Sequence, residues 1–232
     1  MKLLAIETAT PQGSVAWVEE GSVVAEVCEL LDQRLSERLI GLIDRLLQEN
    51  HRTIQEVDAF AFSHGPGSYT GLRIGLAAIQ GLILGTGKKA VAVSTLETLA
   101  LNAKGHPGWV IPWLDARMNQ IYGAIYTFNS RGEPGIVQPE VALPPEQFLE
   151  RVTQPALFMG EGSLRYQSLI TERLGKRATF ASPSLQYPRA SLGALLAWEK
   201  VKKGDWVDFG TFSLRYLRPS AAEIRTKFAS NA

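Results

Sequence analysis

The 232-residue chain has one cysteine, Cys28. A single thiol excludes an intrachain disulfide and any cysteine-rich zinc cluster, and it fits a reducing compartment. Histidine is scarce as well. His51, His64 and His106 have no spacing that would put two imidazoles on one helix face, so no resident metal is expected. Charge of one sign is missing too: 24 Lys and Arg against 23 Asp and Glu leave a net +1. That balance creates no field to gather nucleic acid or membrane lipid, so an RNA-directed role would need a partner to supply most of the phosphate binding. The longest apolar run, residues 72–84, is broken by Arg73 and Gln80 and falls short of the ~20 residues of a membrane span. The opening run over residues 1–6 is too short for a signal-peptide core and closes on Glu7. A cytoplasmic, soluble protein without a membrane partner is the expectation.

What is present is ordinary globular material, 45% hydrophobic and 20% charged. The length suits one large domain or two lobes. Apolar alternation and turn residues predict strands at 3–6, 15–17 and 23–27, then a helix over 36–49 with Ser36 as N-cap. A strand at 57–62, a helix at 70–85, a strand at 90–93 and a helix at 94–103 complete a βββαβα half. The polar stretch 102–108 reads as a linker, placing one lobe at 1–103 and another at 104–232. Beyond it, 109–115, 121–128 and 156–159 read as strands and 134–145 as loops with one weak strand. Residues 145–151, 164–174 and 191–203 read as helices.

The halves begin alike: an apolar strand ends in a carboxylate (Glu7, then Asp115), followed by a turn and another strand. Such a repeat predicts two related α/β lobes flanking a cleft, with one acid facing it from each side. Either carboxylate there could hold hydrated magnesium beside a nucleotide or accept hydrogen bonds from its own turn.

The segment His64-Gly65-Pro66-Gly67-Ser68-Tyr69-Thr70-Gly71 joins a strand to a helix N-terminus. It lacks the frame of a serine nucleophile elbow. Its backbone could present N–H groups to a phosphate, contact a partner, or simply make a tight connection capped by Ser68 or Thr70. In the helix that follows, Leu72, Leu76, Ile79 and Ile83 share one face, opposite the small residues Gly71, Gly75, Ala78, Gly81 and Gly85. A helix apolar nearly all round is buried on two sides, either within its own core or in a subunit interface. The helix at 36–49 also has an apolar arc of about 160°, wider than one sheet face requires. These patterns predict a partner surface at Leu39, Ile43, Leu46, Leu72, Gly75, Leu76, Ile79 and Ile83. The candidate cleft or phosphate loop comprises Glu7, Thr8, Gly65, Gly67, Ser68 and Asp115, and no residue is assigned as catalytic.

Leu4-Ala5-Ile6-Glu7-Thr8-Ala9-Thr10, the glycine-rich block from His64 to Gly75, Val93-Ser94-Thr95-Leu96-Glu97 and Asp115-Ala116-Arg117 together resemble the bacterial TsaB (YeaZ) family. Gly160-Glu161-Gly162 and Tyr216-Leu217-Arg218 extend the resemblance over nearly the whole chain, although the family usually carries Asp where this chain has Glu7. The resemblance implies an actin-like, two-lobed ASKHA fold. It also implies a non-catalytic subunit that pairs with TsaD, with TsaE completing the set, to make threonylcarbamoyladenosine beside the tRNA anticodon. On this reading no cofactor is held tightly here, ATP and metal belong to the partner subunits, and tRNA is reached mainly through the complex; the two apolar helix faces predict a four-helix interface with TsaD, a surface on which the isolated chain could instead form a homodimer. The basic stretch 215–218, with Arg225 and Lys227, is a further candidate for phosphate contact. A stand-alone ASKHA-type enzyme, a small-molecule kinase or a peptidase, is the competing reading.

Overall fold

A computed structural model describes residues 1–30 and 35–218. The first half contains β1 (Lys2–Glu7), β2 (Gln12–Glu19), β3 (Ser22–Leu30), α1 (Leu35–Glu49), β4 (Ala59–Gly65), α2 (Tyr69–Thr86), β5 (Lys89–Ser94) and α3 (Thr95–Ala100). The second contains β6 (Trp109–Arg117), β7 (Gln120–Phe128), β8 (Pro134–Leu143), α4 (Pro145–Leu149), β9 (Ala156–Met159), α5 (Glu161–Arg165), α6 (Gln167–Leu174), β10 (Ala178–Phe180) and α7 (Ala190–Lys202). One five-stranded sheet runs β3-β2-β1-β4-β5 and the other β8-β7-β6-β9-β10, so the two repeat one topology. In each, the first two pairings in sequence are antiparallel and the later ones parallel.

Strand alternation decides which helix covers which face. Leu4, Ile6, Val15, Trp17, Phe60 and Phe62 point to one side of the first sheet, where the apolar stripe of α1 and the inner side of α2 cover them. Leu3, Ala5, Ala16, Ala59 and Ala61 point to the other, a shallower surface that admits the small residues Ala190, Ala194 and Ala197 of α7 at close range. The second sheet is covered by α4 and α6 on one side and by Leu96, Leu99 and Ala100 of α3 on the other. The halves therefore exchange helices: α3 of the first covers the second sheet, and α7 of the second covers the first. The chain after α7 stays with the first sheet, since Val207 N–H donates to the Ala90 carbonyl and Phe209 and Phe212 pack on Phe62.

Several local expectations change. Residues 134–143 form a full ten-residue edge strand. The helix expected over 164–174 divides at Tyr166 into α5 and α6. The short strand β10, parallel to β9, has no alternation long enough to read from sequence. Ser36 lies inside α1 rather than capping it. No helix among the described residues is long and apolar enough to cross a membrane.

Candidate functional site

The glycine-rich segment is shaped by its neighbours. Ser68 caps α2, its Oγ accepting from the Gly71 N–H at 3.2 Å, and its own N–H donates to the Ala9 carbonyl at 2.7 Å. A side chain at Gly67 would meet that Ala9 oxygen at 2.6 Å, one at Gly71 would collide with the Thr8 carbonyl, and one at Gly75 with Thr8 Oγ1. Gly65 has φ +113° and lies under the Arg215 carbonyl. The glycines thus let α2 sit directly on the turn between β1 and β2. The segment makes a tight connection capped by Ser68, and residues 67–71 also line the cavity between the lobes.

Glu7 does not face the cleft. Alternation puts it on the same face as Leu3 and Ala5, the face that α7 covers, and it is 0% exposed. Its Oε1 accepts from the Ala9 N–H at 2.7 Å and its Oε2 from the Ser63 hydroxyl. Burial outweighs these bonds and pushes its pKa up to about 7. Asp115 does border the cleft, but both its oxygens are engaged. Oδ1 accepts from the Arg117 N–H at 2.9 Å, while Oδ2 meets Arg165 at 2.8 Å and Arg117 at 3.2 Å.

Between the lobes lies an open cavity of about 750 Å³. Its walls include Thr8, Gly67 and Ser68 from one lobe and residues 114–118 with Glu161 from the other. Burial first, then Asp115, raises the Glu161 pKa. The chain end crosses this mouth. Tyr216 packs on Tyr69 with ring centroids 4.8 Å apart, the Arg73 guanidinium lies 4.0 Å over Tyr69, and Arg73 Nε donates to the Tyr216 hydroxyl at 3.2 Å. Arg218 donates to the Ala116 and Arg117 carbonyls at 2.6 and 3.0 Å. Tyr69, Arg73 and Arg117 were not legible as site residues, because only the fold brings them to the chain end. Arg215 instead pairs with buried Glu140 at 2.7 Å, and Arg225 and Lys227 lie outside the described residues. His64 borders a second cavity of about 540 Å³ with Lys200 and Arg215. Burial, reinforced by those two cations, holds its pKa down at about 4. Among the described residues, no group of three His, Cys, Asp or Glu side chains is placed to hold a metal ion.

The expected partner surface needs correction. Leu39, Ile43, Leu46, Leu72 and Ile79 are all at most 4% exposed and lie in the chain's own core, with Leu76 and Ile83 partly buried against it. Gly75 is covered by Thr8. The apolar arcs are wide because these helices cover more than the sheet: each other, and the returning segment of Val207, Phe209 and Phe212. The outward faces carry different residues. Ile40 and Gly41 on α1, and Ala77, Gly81, Leu84 and Gly85 on α2, are exposed, Leu84 to 88%. A Cβ at Gly41, Gly81 or Gly85 would touch nothing.

Residues 26–226 match the family described as TsaD: tRNA N6-adenosine threonylcarbamoyltransferase. The chain is 29% identical over 227 residues to the tRNA threonylcarbamoyladenosine biosynthesis protein TsaB of Bacillus subtilis (strain 168), covering 97% of each. It is 36% identical over 156 residues to the protein of that description from Escherichia coli (strain K12), covering 66% of this chain and 67% of the relative. Among solved structures, a Pseudomonas aeruginosa protein described as similar to peptidase YEAZ superposes with TM-score 0.80 at 31% identity, over 94% of this chain and 99% of that one. The duplicated lobes with exchanged helices are the actin-like ASKHA architecture.

Proposed function

The chain belongs to the TsaB (YeaZ) family and acts in tRNA threonylcarbamoyladenosine biosynthesis, and from that premise we propose that it is a non-catalytic subunit that pairs with TsaD. The observation that carries this reading is the state of the cleft. Glu7 is fully buried on the Ala9 N–H and the Ser63 hydroxyl, Asp115 is paired with two arginines, and the glycine-rich loop packs on Thr8 and Ala9 with Ser68 spent on capping α2. The positions from which an actin-like enzyme would act are spent on the chain's own contacts. TsaE, ATP and the reaction's metal then belong with TsaD, and transfer of the threonylcarbamoyl group to N6 of the adenosine beside the anticodon takes place there. No observation favours a stand-alone kinase or peptidase.

The partner surface in this reading is the outer face of α1 and α2. Exposed glycines and alanine at Gly41, Ala77, Gly81 and Gly85 let another helix approach closely, and Ile40 and Leu84 supply apolar area. The same face would self-pair when TsaD is absent. Leu84→Glu tests it: the side chain is already in solvent, so the fold should hold, while an unpaired carboxylate in the contact would cost several kcal/mol of desolvation. The variant should be monomeric and fail to retain TsaD on size exclusion. Wild-type retention of TsaD would remove this face. Reconstitution of tRNA modification with each subunit left out in turn tests the role itself; modification by this chain alone would refute it.

A further inference from the structure

The cleft described above has a feature that scaffolding does not use. Arg117 at the β6–β7 turn and Arg218 in the terminal segment line it, while Arg73 on α2 adjoins it through Tyr69 and Tyr216, and Arg165 on α5 through Asp115. Among the described residues that line the cavity, the carboxylates are Asp115 and Glu161. Beside the arginines sit Tyr69 and Tyr216, 36% and 40% exposed, packed on each other with their rings tilted by 33°.

The Arg117 position is also built. Arg117, Met118 and Asn119 all have positive φ, 62°, 48° and 56°, a left-handed conformation that costs non-glycine residues roughly 1 kcal/mol or more each and persists where surroundings enforce it. Met118 and Asn119 are the two-residue loop of the β6–β7 hairpin, a turn that takes positive φ at both positions, and Arg218 donates to the Ala116 and Arg117 carbonyls beside it. The result is an arginine held out at the rim, 78% exposed.

We propose that this mouth is an RNA-binding surface that takes a single-stranded segment, its phosphates on the exposed Arg117 and the neighbouring Arg73, Arg165 and Arg218, and one base stacked on Tyr216, which Tyr69 and Arg73 hold in place. Cationic side chains that track a backbone, combined with an aromatic platform for a base, are the chemistry of single-strand recognition. The location fits as well: Arg73 lies on the outer side of α2, so the mouth is continuous with the proposed TsaD contact, and RNA held by that partner can reach it. The inference rests on the TsaD reading for its RNA, the anticodon loop.

The test is fluorescence anisotropy of a labelled, unmodified anticodon stem–loop, titrated over a salt series with the TsaD complex and with this chain alone. Arg117→Ala should weaken binding roughly tenfold and lower the slope of log affinity against log salt by about 0.7, as for one lost single-strand phosphate contact. Arg117→Lys should recover much of both. Tyr216→Ala should weaken binding about tenfold with the slope unchanged, and Tyr216→Phe should bind as wild type. Arg173→Ala, on the exposed side of α6, should change nothing. Unchanged affinity in Arg117→Ala and Tyr216→Ala, an equal loss in Arg173→Ala, or displacement of the RNA by free ATP would each overturn the proposal. Size exclusion with TsaD keeps the two readings apart: variants that still bind TsaD yet keep full RNA affinity refute this surface alone, whereas a wild-type chain that never binds TsaD refutes the partner reading.

Discussion

Glu7→Gln isolates the one fully buried carboxylate at the end of β1. The wild-type group is 0% exposed and has its pKa raised from 4.5 to about 7, chiefly by burial. Below pH 4.5 the carboxyl is protonated in both folded and unfolded chains, and its burial carries no charge penalty. As pH rises from there to about 7, the unfolded chain releases the proton before the folded one, so stability falls through that window and stays lowered above it. The gap between 4.5 and about 7, at 1.36 kcal/mol per pKa unit, is about 3 kcal/mol. Glutamine keeps the shape and removes the charge. Its Oε1 still accepts from the Ala9 N–H, and its amide can donate to Ser63 Oγ, which reverses the bond that the Ser63 hydroxyl now donates to the carboxylate. In urea unfolding well above pH 7 the variant should gain about 3 kcal/mol, a midpoint shift of roughly 1 M. Below pH 4.5 the two proteins should coincide. A glutamine variant less stable than wild type above pH 7 would mean that the negative charge is wanted there, by a cation or by unseen donors, and would refute the reasoning. The reconstituted complex should also keep its tRNA modification, because a sealed carboxylate contributes no chemistry. Glu7→Ala is the poorer probe, since it leaves the Ser63 hydroxyl and the Ala9 N–H unpaired at about 1–3 kcal/mol each.

Ile79→Ala should cost about 2–5 kcal/mol in the isolated chain, measured by urea unfolding, because Ile79 is 0% exposed in the core under α2; a cost near zero would return it to the surface. Gly71→Ala should destabilise strongly through collision with the Thr8 carbonyl, whereas Gly81→Ala, which meets nothing, should gain up to about 1 kcal/mol and weaken TsaD binding by standing in the helix contact. Calorimetry and size exclusion with TsaD separate the two glycines. His64 should show no imidazole titration by NMR between pH 5 and 8, and Arg215→Ala, which removes one of the cations holding its pKa at about 4, should move that pKa upward.

Much of the fold was legible because its signals are local. Two lobes follow from apolar strands that end in Glu7 and Asp115, and α1 and α2 follow from leucine and isoleucine at helical spacing. What escaped depends on which element covers which. The alanines of α7 carry no pattern that says they will meet Leu3, Ala5 and Ala61 across a long stretch of sequence. Residues 134–143 read as loop because Pro134, Gly135 and Pro139 interrupt the alternation, yet an edge strand tolerates proline where its N–H would face away from the sheet.

The site was misread for a related reason. Periodicity tells how much of a helix is apolar, but not what will cover it. The arcs of α1 and α2 were wide enough to suggest a second protein, and the second cover is the chain's own return over Val207, Phe209 and Phe212. Those three residues sit in a stretch rich in Gly and Asp that has no helical or strand period of its own. The glycines divide by the same logic. Gly67, Gly71 and Gly75 are small because Thr8 and Ala9 press on them, while Gly81 and Gly85, on the same helix, touch nothing. Core packing accounts for the first set and, among the described residues, leaves the second without a contact. A helix that retains costly glycines on a face that the described residues leave open, with Leu84 88% exposed beside them, is the pattern that the proposed helix contact with TsaD explains and that core packing does not.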